Sequence, residues 1–151
     1  MSQNLGLFAH LLGVIVWVGG MALLYFCLRP AATALPPAQR LPLWVGVFSR
    51  FFPLVWASIA LILASGFGKL GAIGFANAPA AWHVMLLTGL AMVVVFVSIW
   101  FGPWPVLKRA VAAEDWAGGA LALNRIRQRV AINLALGVLT IAIATLGLAL
   151  L

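Results

Sequence analysis

His10 and His83 are the only histidines among 151 residues, and imidazole is the side chain here best suited to hold a transition metal. His10 lies in the stretch Gly6-Leu-Phe-Ala-His10-Leu-Leu-Gly13-Val-Ile-Val-Trp17-Val-Gly-Gly20. On a helix advancing about 100° per residue, Gly6, His10, Gly13, Trp17 and Gly20 share one stripe roughly 80° wide. Glycine costs about 1 kcal/mol relative to alanine inside a helix, so three in one stripe imply a close-packed neighbour. That neighbour is either a second helix or a flat cofactor ligated by His10.

The elements that would position these residues follow from composition. Of the chain, 66% is hydrophobic and only 7% charged, which excludes an ordinary soluble domain. Apolar runs at Leu5–Leu28, Phe51–Phe67, Trp82–Phe101 and Val130–Leu151 are each near the ~20 residues that cross a bilayer as a helix. The expected fold is all-α: a single membrane domain over 1–151, an antiparallel bundle of four transmembrane helices at about 5–28, 44–68, 80–102 and 128–151. The first run lacks a basic leader, so it reads as a retained helix rather than a cleaved signal.

The net charge of +7 is placed by topology rather than by nucleic acid, which is excluded as a partner. Arg29, Arg40 and Arg50 lie in or beside the first connection, and Lys108, Arg109, Arg125, Arg127 and Arg129 in or beside the third. The positive-inside pattern makes loops 29–43 and 103–127 cytoplasmic and puts both termini outside. Pro36, Pro37 and Pro42 predict an irregular first loop, with Pro53 near the start of helix 2. Asp115 is a candidate cap for a helix running through Arg125–Arg129 into helix 4. The stripe Asn133, Gly137, Thr140, Ala144 and Gly147 is expected inside the bundle. Cys27 is the one cysteine, so no intramolecular disulfide forms.

This topology places His10 and His83 near the outer ends of helices 1 and 3, at similar depth. Helices 1 and 3 would be diagonal, with axes roughly 11–14 Å apart. Two inward-facing imidazoles would then leave a gap for a metal. A b-type haem fits that expectation: His10 and His83 as axial ligands, Gly6, Gly13, Trp17 and Gly20 around the macrocycle, and Lys69 toward a propionate. Such iron favours electron transfer. Copper on the same histidines is the alternative, although no Met-x-x-Met or Cys-x-x-Cys pair marks a path. The bland readings are interfacial histidines and plain helix packing at the glycines. No Ser/His/Asp or Cys/His arrangement supports hydrolytic chemistry, so enzymatic activity stays open.

Several segments resemble the CopD-type (copper resistance protein D) membrane family. They are Ala9-His10 with Trp17-Val-Gly-Gly20, Phe48-Ser-Arg50-Phe51 leading to Ala64-Ser-Gly66, Trp82-His83, and Leu123-Asn-Arg125-Ile-Arg127. The resemblance implies a bacterial inner-membrane location and an association with copper. The chain departs from full-length members in having four spans and no methionine-rich segment. In layout it is also similar to HemJ-type four-helix proteins, which carry an early histidine in the first span; His10 matches that position. The partners expected are the lipid bilayer, a periplasmic or membrane redox protein, and a second copy of the chain; a structural accessory subunit docking a soluble protein through the basic loops is the third functional class.

Overall fold

The computed structural model describes residues 2–147, with side chains described for residues 4–147. The first helix, α1, is continuous: α-helical over Ser2–Val14, opening into wider π-helical turns at Ile15–Gly19 and Leu23–Leu28, and closing with Arg29–Ala32. Then follow α2 (Pro37–Ile73), a single 3-10 turn (Phe75–Asn77), α3 (Ala80–Phe101), α4 (Pro103–Ala112) and α5 (Trp116–Leu146). Stretches Asn4–Ala32, Pro37–Ile73, Ala80–Ala112 and Trp116–Leu146 are long and apolar enough to cross a membrane. A helix satisfies its own backbone hydrogen bonds, which lipid cannot do. The chain is a multi-pass, all-α membrane protein. Residues 148–151 of the expected fourth span lie outside the described residues.

The helices run further than the apolar pattern suggests. Of the expected irregular loop 29–43, residues 33–36 alone are non-helical. Thr33 ends α1, donating its hydroxyl to Pro30 O at 2.6 Å. Pro37 occupies the first position of α2, where the missing N–H has no helical partner to lose. Pro42 and Pro53 are both inside α2, and Pro53 is near its middle rather than its start. The carbonyls they leave without a helical donor belong to Ala38 and Ser49, both exposed residues. Prolines that read as breakers therefore mark one helix start and two tolerated interruptions.

Loop 103–127 is likewise mostly helix. At Gly102 an added Cβ would stand 2.6 Å from Ser98 O, so glycine permits the bend that turns α3 into α4. Glu114 takes a positive φ of 55°, reversing the chain after α4. Asp115 then caps α5 as expected, its Oδ1 accepting from Gly118 N at 2.9 Å.

Packing divides the protein into two antiparallel pairs, α1 on α2 and α3 on α5, with α4 folded against α5. Where α1 meets α5, a Cβ added to Gly137 would lie 3.0 Å from Val18 Cγ2 and 3.3 Å from Met92 Cε. Asn133 and Gly137 are buried as the stripe predicts, and Thr140 donates to Thr88 Oγ1 of α3 at 2.8 Å. Ala144 is exposed, so the stripe lies open toward the C-terminal end of α5. In lipid the apolar driving force between helices is small, and close packing does most of the holding.

The basic half of the bundle is filled by rings. Phe48 stacks on Phe52 at 4.9 Å with planes 8° apart, and Phe52 meets Trp104 edge-on at 5.2 Å and Phe96 at 5.5 Å. Trp56 reaches Phe96 and Trp100 at 5.3 and 5.9 Å. Such pairs contribute about 0.5–1.5 kcal/mol each beyond their buried area. They bridge α2 to α3 and α4 through side chains, and α2 also approaches α4 along the backbone.

Candidate metal centre at the histidine end

His10 projects from α1 onto α2 and is half-buried there. Its Nδ1 is 2.9 Å from Ser65 Oγ. The serine has one hydroxyl proton, and it points back into its own helix, to Leu61 O at 2.6 Å. Ser65 Oγ therefore accepts from His10, and Nδ1 carries the imidazole proton. Nε2 is left with its lone pair. Gly66 lies beside the ring, where an added Cβ would make ordinary van der Waals contact with His10 Cε1 at 3.9 Å. Holding one ring nitrogen as a donor while presenting the other as a base is how proteins orient metal-binding histidines.

His83 is held differently. It lies in the first turn of α3, with Nδ1 3.2 Å from Pro79 O and Nε2 3.1 Å from Phe75 O. Phe75 also packs edge-on against the ring at 4.6 Å. Both nitrogens face carbonyl acceptors, so neither presents a lone pair outward. The helix face that continues from His83 points to lipid: Leu87, Leu90 and Val94 are 69%, 40% and 67% exposed. The buried face of α3 is Met92, Phe96 and Ile99. His10 bonds to α2 while His83 bonds to the turn before its own helix, and the structure gives them no shared partner.

The glycine stripe is occupied by α2. A Cβ on Gly13 would lie 2.9 Å from Ile62 Cγ1 and 3.0 Å from Ser58 O, and one on Gly20 would collide with the Phe51 ring. Gly6 faces open space. Trp17 is 3% exposed and meets Phe96 edge-on at 6.3 Å, so side chains already fill the space between α1 and α3 at that level. The arrangement does not support a bis-histidine haem: the stripe admits a helix, and His83 is turned away from it. Lys69 is exposed, its Nζ 5.7 Å from the Trp82 ring centroid, which is a cation–π contact at the same end of the bundle.

Ser65 is the neighbour of His10 that reading the histidines alone misses. Its signal is a serine–glycine pair inside an apolar run, one helix away and at the depth of His10. Among the described residues no group of three or more His, Cys, Asp or Glu side chains could hold a metal ion.

A family model described as copper resistance protein D, CopD, matches residues 45–146. The chain belongs to the CopD family. The matched region covers α2 from its third turn through α5 and includes Ser65 and His83; α1 with His10 precedes it. No curated protein and no solved structure matches the chain. CopD membership makes this a copper-related membrane protein, and it is the copper side of the histidine chemistry that the family supports.

Proposed function

We propose that this CopD-family protein handles copper as cargo at the histidine end of the bundle, with His10 as the ligand supplied by α1. The observation that carries the reading is the His10–Ser65 hydrogen bond, which leaves Nε2 as the free base. Imidazole is a good copper ligand, and a site of low ligand number suits an ion that must be taken up and released. His83 is the second ligand the chain can offer; turning its ring away from Phe75 O frees Nε2. A supplying or receiving protein completes the coordination sphere during transfer, as a periplasmic partner would.

The same reading places the chain in a bacterial inner membrane, its basic ends cytoplasmic and both histidines periplasmic, because lysine and arginine concentrate at one end. The whole chain then acts as one membrane domain. The test is copper binding by purified protein, followed by elemental analysis and repeated with His10→Ala and His83→Ala. Wild type retains copper, His10→Ala loses most of it, and His83→Ala loses part. Retention of full copper by His10→Ala would sink the proposal. An absorption spectrum of protein from haem-replete cells separates the haem alternative, since a Soret band at stoichiometric intensity would reinstate it.

A further inference from the structure

The surroundings of His10 bear on the charge of the ion that this end of the bundle accepts. The donors there are neutral. His10 offers the lone pair of Nε2, its Nδ1 proton being given to the Ser65 hydroxyl at 2.9 Å. His83 is the other imidazole of the chain. Both side-chain carboxylates, Glu114 and Asp115, lie between α4 and α5 at the opposite end, and the one thiol, Cys27, is near the basic end of α1.

The fixed side-chain charge at this end is positive. Lys69 follows Ser65 by one helical turn, so the two side chains leave the same face of α2, the face that His10 meets. Its ammonium lies 5.7 Å from the Trp82 ring centroid, a contact that steers the group and leaves its charge in place. The field of Lys69 reaches His10. An ion on Nε2 is therefore held by neutral nitrogen, beside a half-buried ring and near a cation.

Charge and coordination then separate the two oxidation states of copper. The cost of withdrawing an ion from water rises with the square of its charge, so it is about four times larger for a dication than for a monocation of equal size. Repulsion from Lys69 doubles as well. Cu(II) also favours square-planar or tetragonal sets of nitrogen and oxygen donors. With two imidazoles and no carboxylate at this end, the remaining positions would fall to water or carbonyls, which bring no negative charge. Cu(I), a closed-shell ion, accepts fewer donors and needs no planar set. We propose, on the basis of the copper reading above, that the histidine end is selective for monovalent copper, with His10 Nε2 as the donor and Lys69 as the residue that discriminates by charge.

The experiment uses the full chain in mild detergent. Cu(I) is titrated under argon against bicinchoninate and Cu(II) in air against nitrilotriacetate, with Ag(I) and Zn(II) as redox-inert ions of the two charges. Cu(I) is expected to bind about a hundredfold more tightly than Cu(II); Ag(I) displaces it and Zn(II) does not. Lys69→Glu exchanges the exposed cation for a carboxylate and is expected to lower that ratio about tenfold, chiefly by strengthening Cu(II) binding. Lys69→Gln moves the ratio part of the way, and Lys108→Glu, exposed at the basic end, leaves it unchanged. Copper bound through His10 with Cu(II) as tight as Cu(I), Zn(II) displacing Cu(I), or an unchanged ratio in Lys69→Glu overturns this inference and leaves the copper reading standing. Failure of both oxidation states to bind, or full binding by His10→Ala, overturns the two together.

Discussion

Ser65 Oγ accepts the Nδ1 proton of His10 across the α1–α2 interface at 2.9 Å, while its own proton goes to Leu61 O. That serine decides which nitrogen of His10 is a base. Replacing Ser65 with alanine removes the orienting acceptor without touching the imidazole. Copper affinity is expected to fall about tenfold or more, in the range seen when partners of metal-binding histidines are lost. Competition against a chelator, run on Ser65→Ala beside Ser65→Thr, measures it; threonine keeps a hydroxyl and is expected to restore most of the affinity.

The glycines of α1 should respond unequally to a single methyl. Gly13→Ala drives a Cβ into Ile62 and the backbone oxygen of Ser58, and backbone cannot step aside as a side-chain tip can. A destabilisation of about 1–3 kcal/mol is expected, the usual cost of overpacking. Gly6→Ala meets nothing within 4 Å and is expected to be neutral or to gain a few tenths of a kcal/mol from helix propensity. Unfolding of both variants in detergent tests the contrast, and equal effects would mean α2 does not occupy the stripe.

Asn133 is 1% exposed, and both its amide nitrogen and oxygen lack partners. A buried unsatisfied polar group costs about 1–3 kcal/mol. Asn133→Leu is therefore expected to raise the unfolding midpoint rather than lower it. A loss of stability would reveal a partner for the amide in the membrane-embedded protein.

Thr140 joins α5 to α3 through the Thr88 hydroxyl. Thr140→Val keeps the shape and deletes the bond. The expected loss is small, about 0.6 kcal/mol, the average for such bonds between helices in membranes. Double substitution with Thr88→Val should add almost nothing further if the two hydroxyls serve each other.

Much of the architecture is legible in the sequence because membrane spans announce themselves by length and apolarity. The Asp115 cap and the buried Asn133–Gly137 stripe are local patterns and carry over directly. Helix ends at the basic side are harder. Pro36-Pro37 and Pro42 satisfy both a loop and a helix start, and tertiary packing of Leu41 and Trp44, which are 0% and 2% exposed, selects the helix. The histidines show the limit most clearly. Equal depth is readable from topology, but azimuth is not: His83 sits on the face of α3 that Leu87 and Val94 turn to lipid. A hydrophobic residue facing lipid and one facing the core look alike in sequence. The pairing of His10 with Ser65 needs the crossing of two helices, which no single span contains.

The rings of Phe48, Phe52, Trp56, Phe96, Trp100 and Trp104 have a consequence for ions. Tightly packed aromatics fill this part of the axis with ring faces and edges and leave little room for a hydrated cation. The centre of one chain is thus an insulator across its basic half. The groove that α1 and α5 border, which includes Val18, Ala22, Leu134 and Val138, is apolar too and offers a charge no easier path. Phe52→Ala, which empties the stack at its most connected ring, is expected to cost about 3–5 kcal/mol of stability yet leave a membrane-potential leak assay unchanged, because a cavity lined by apolar rings stays dry.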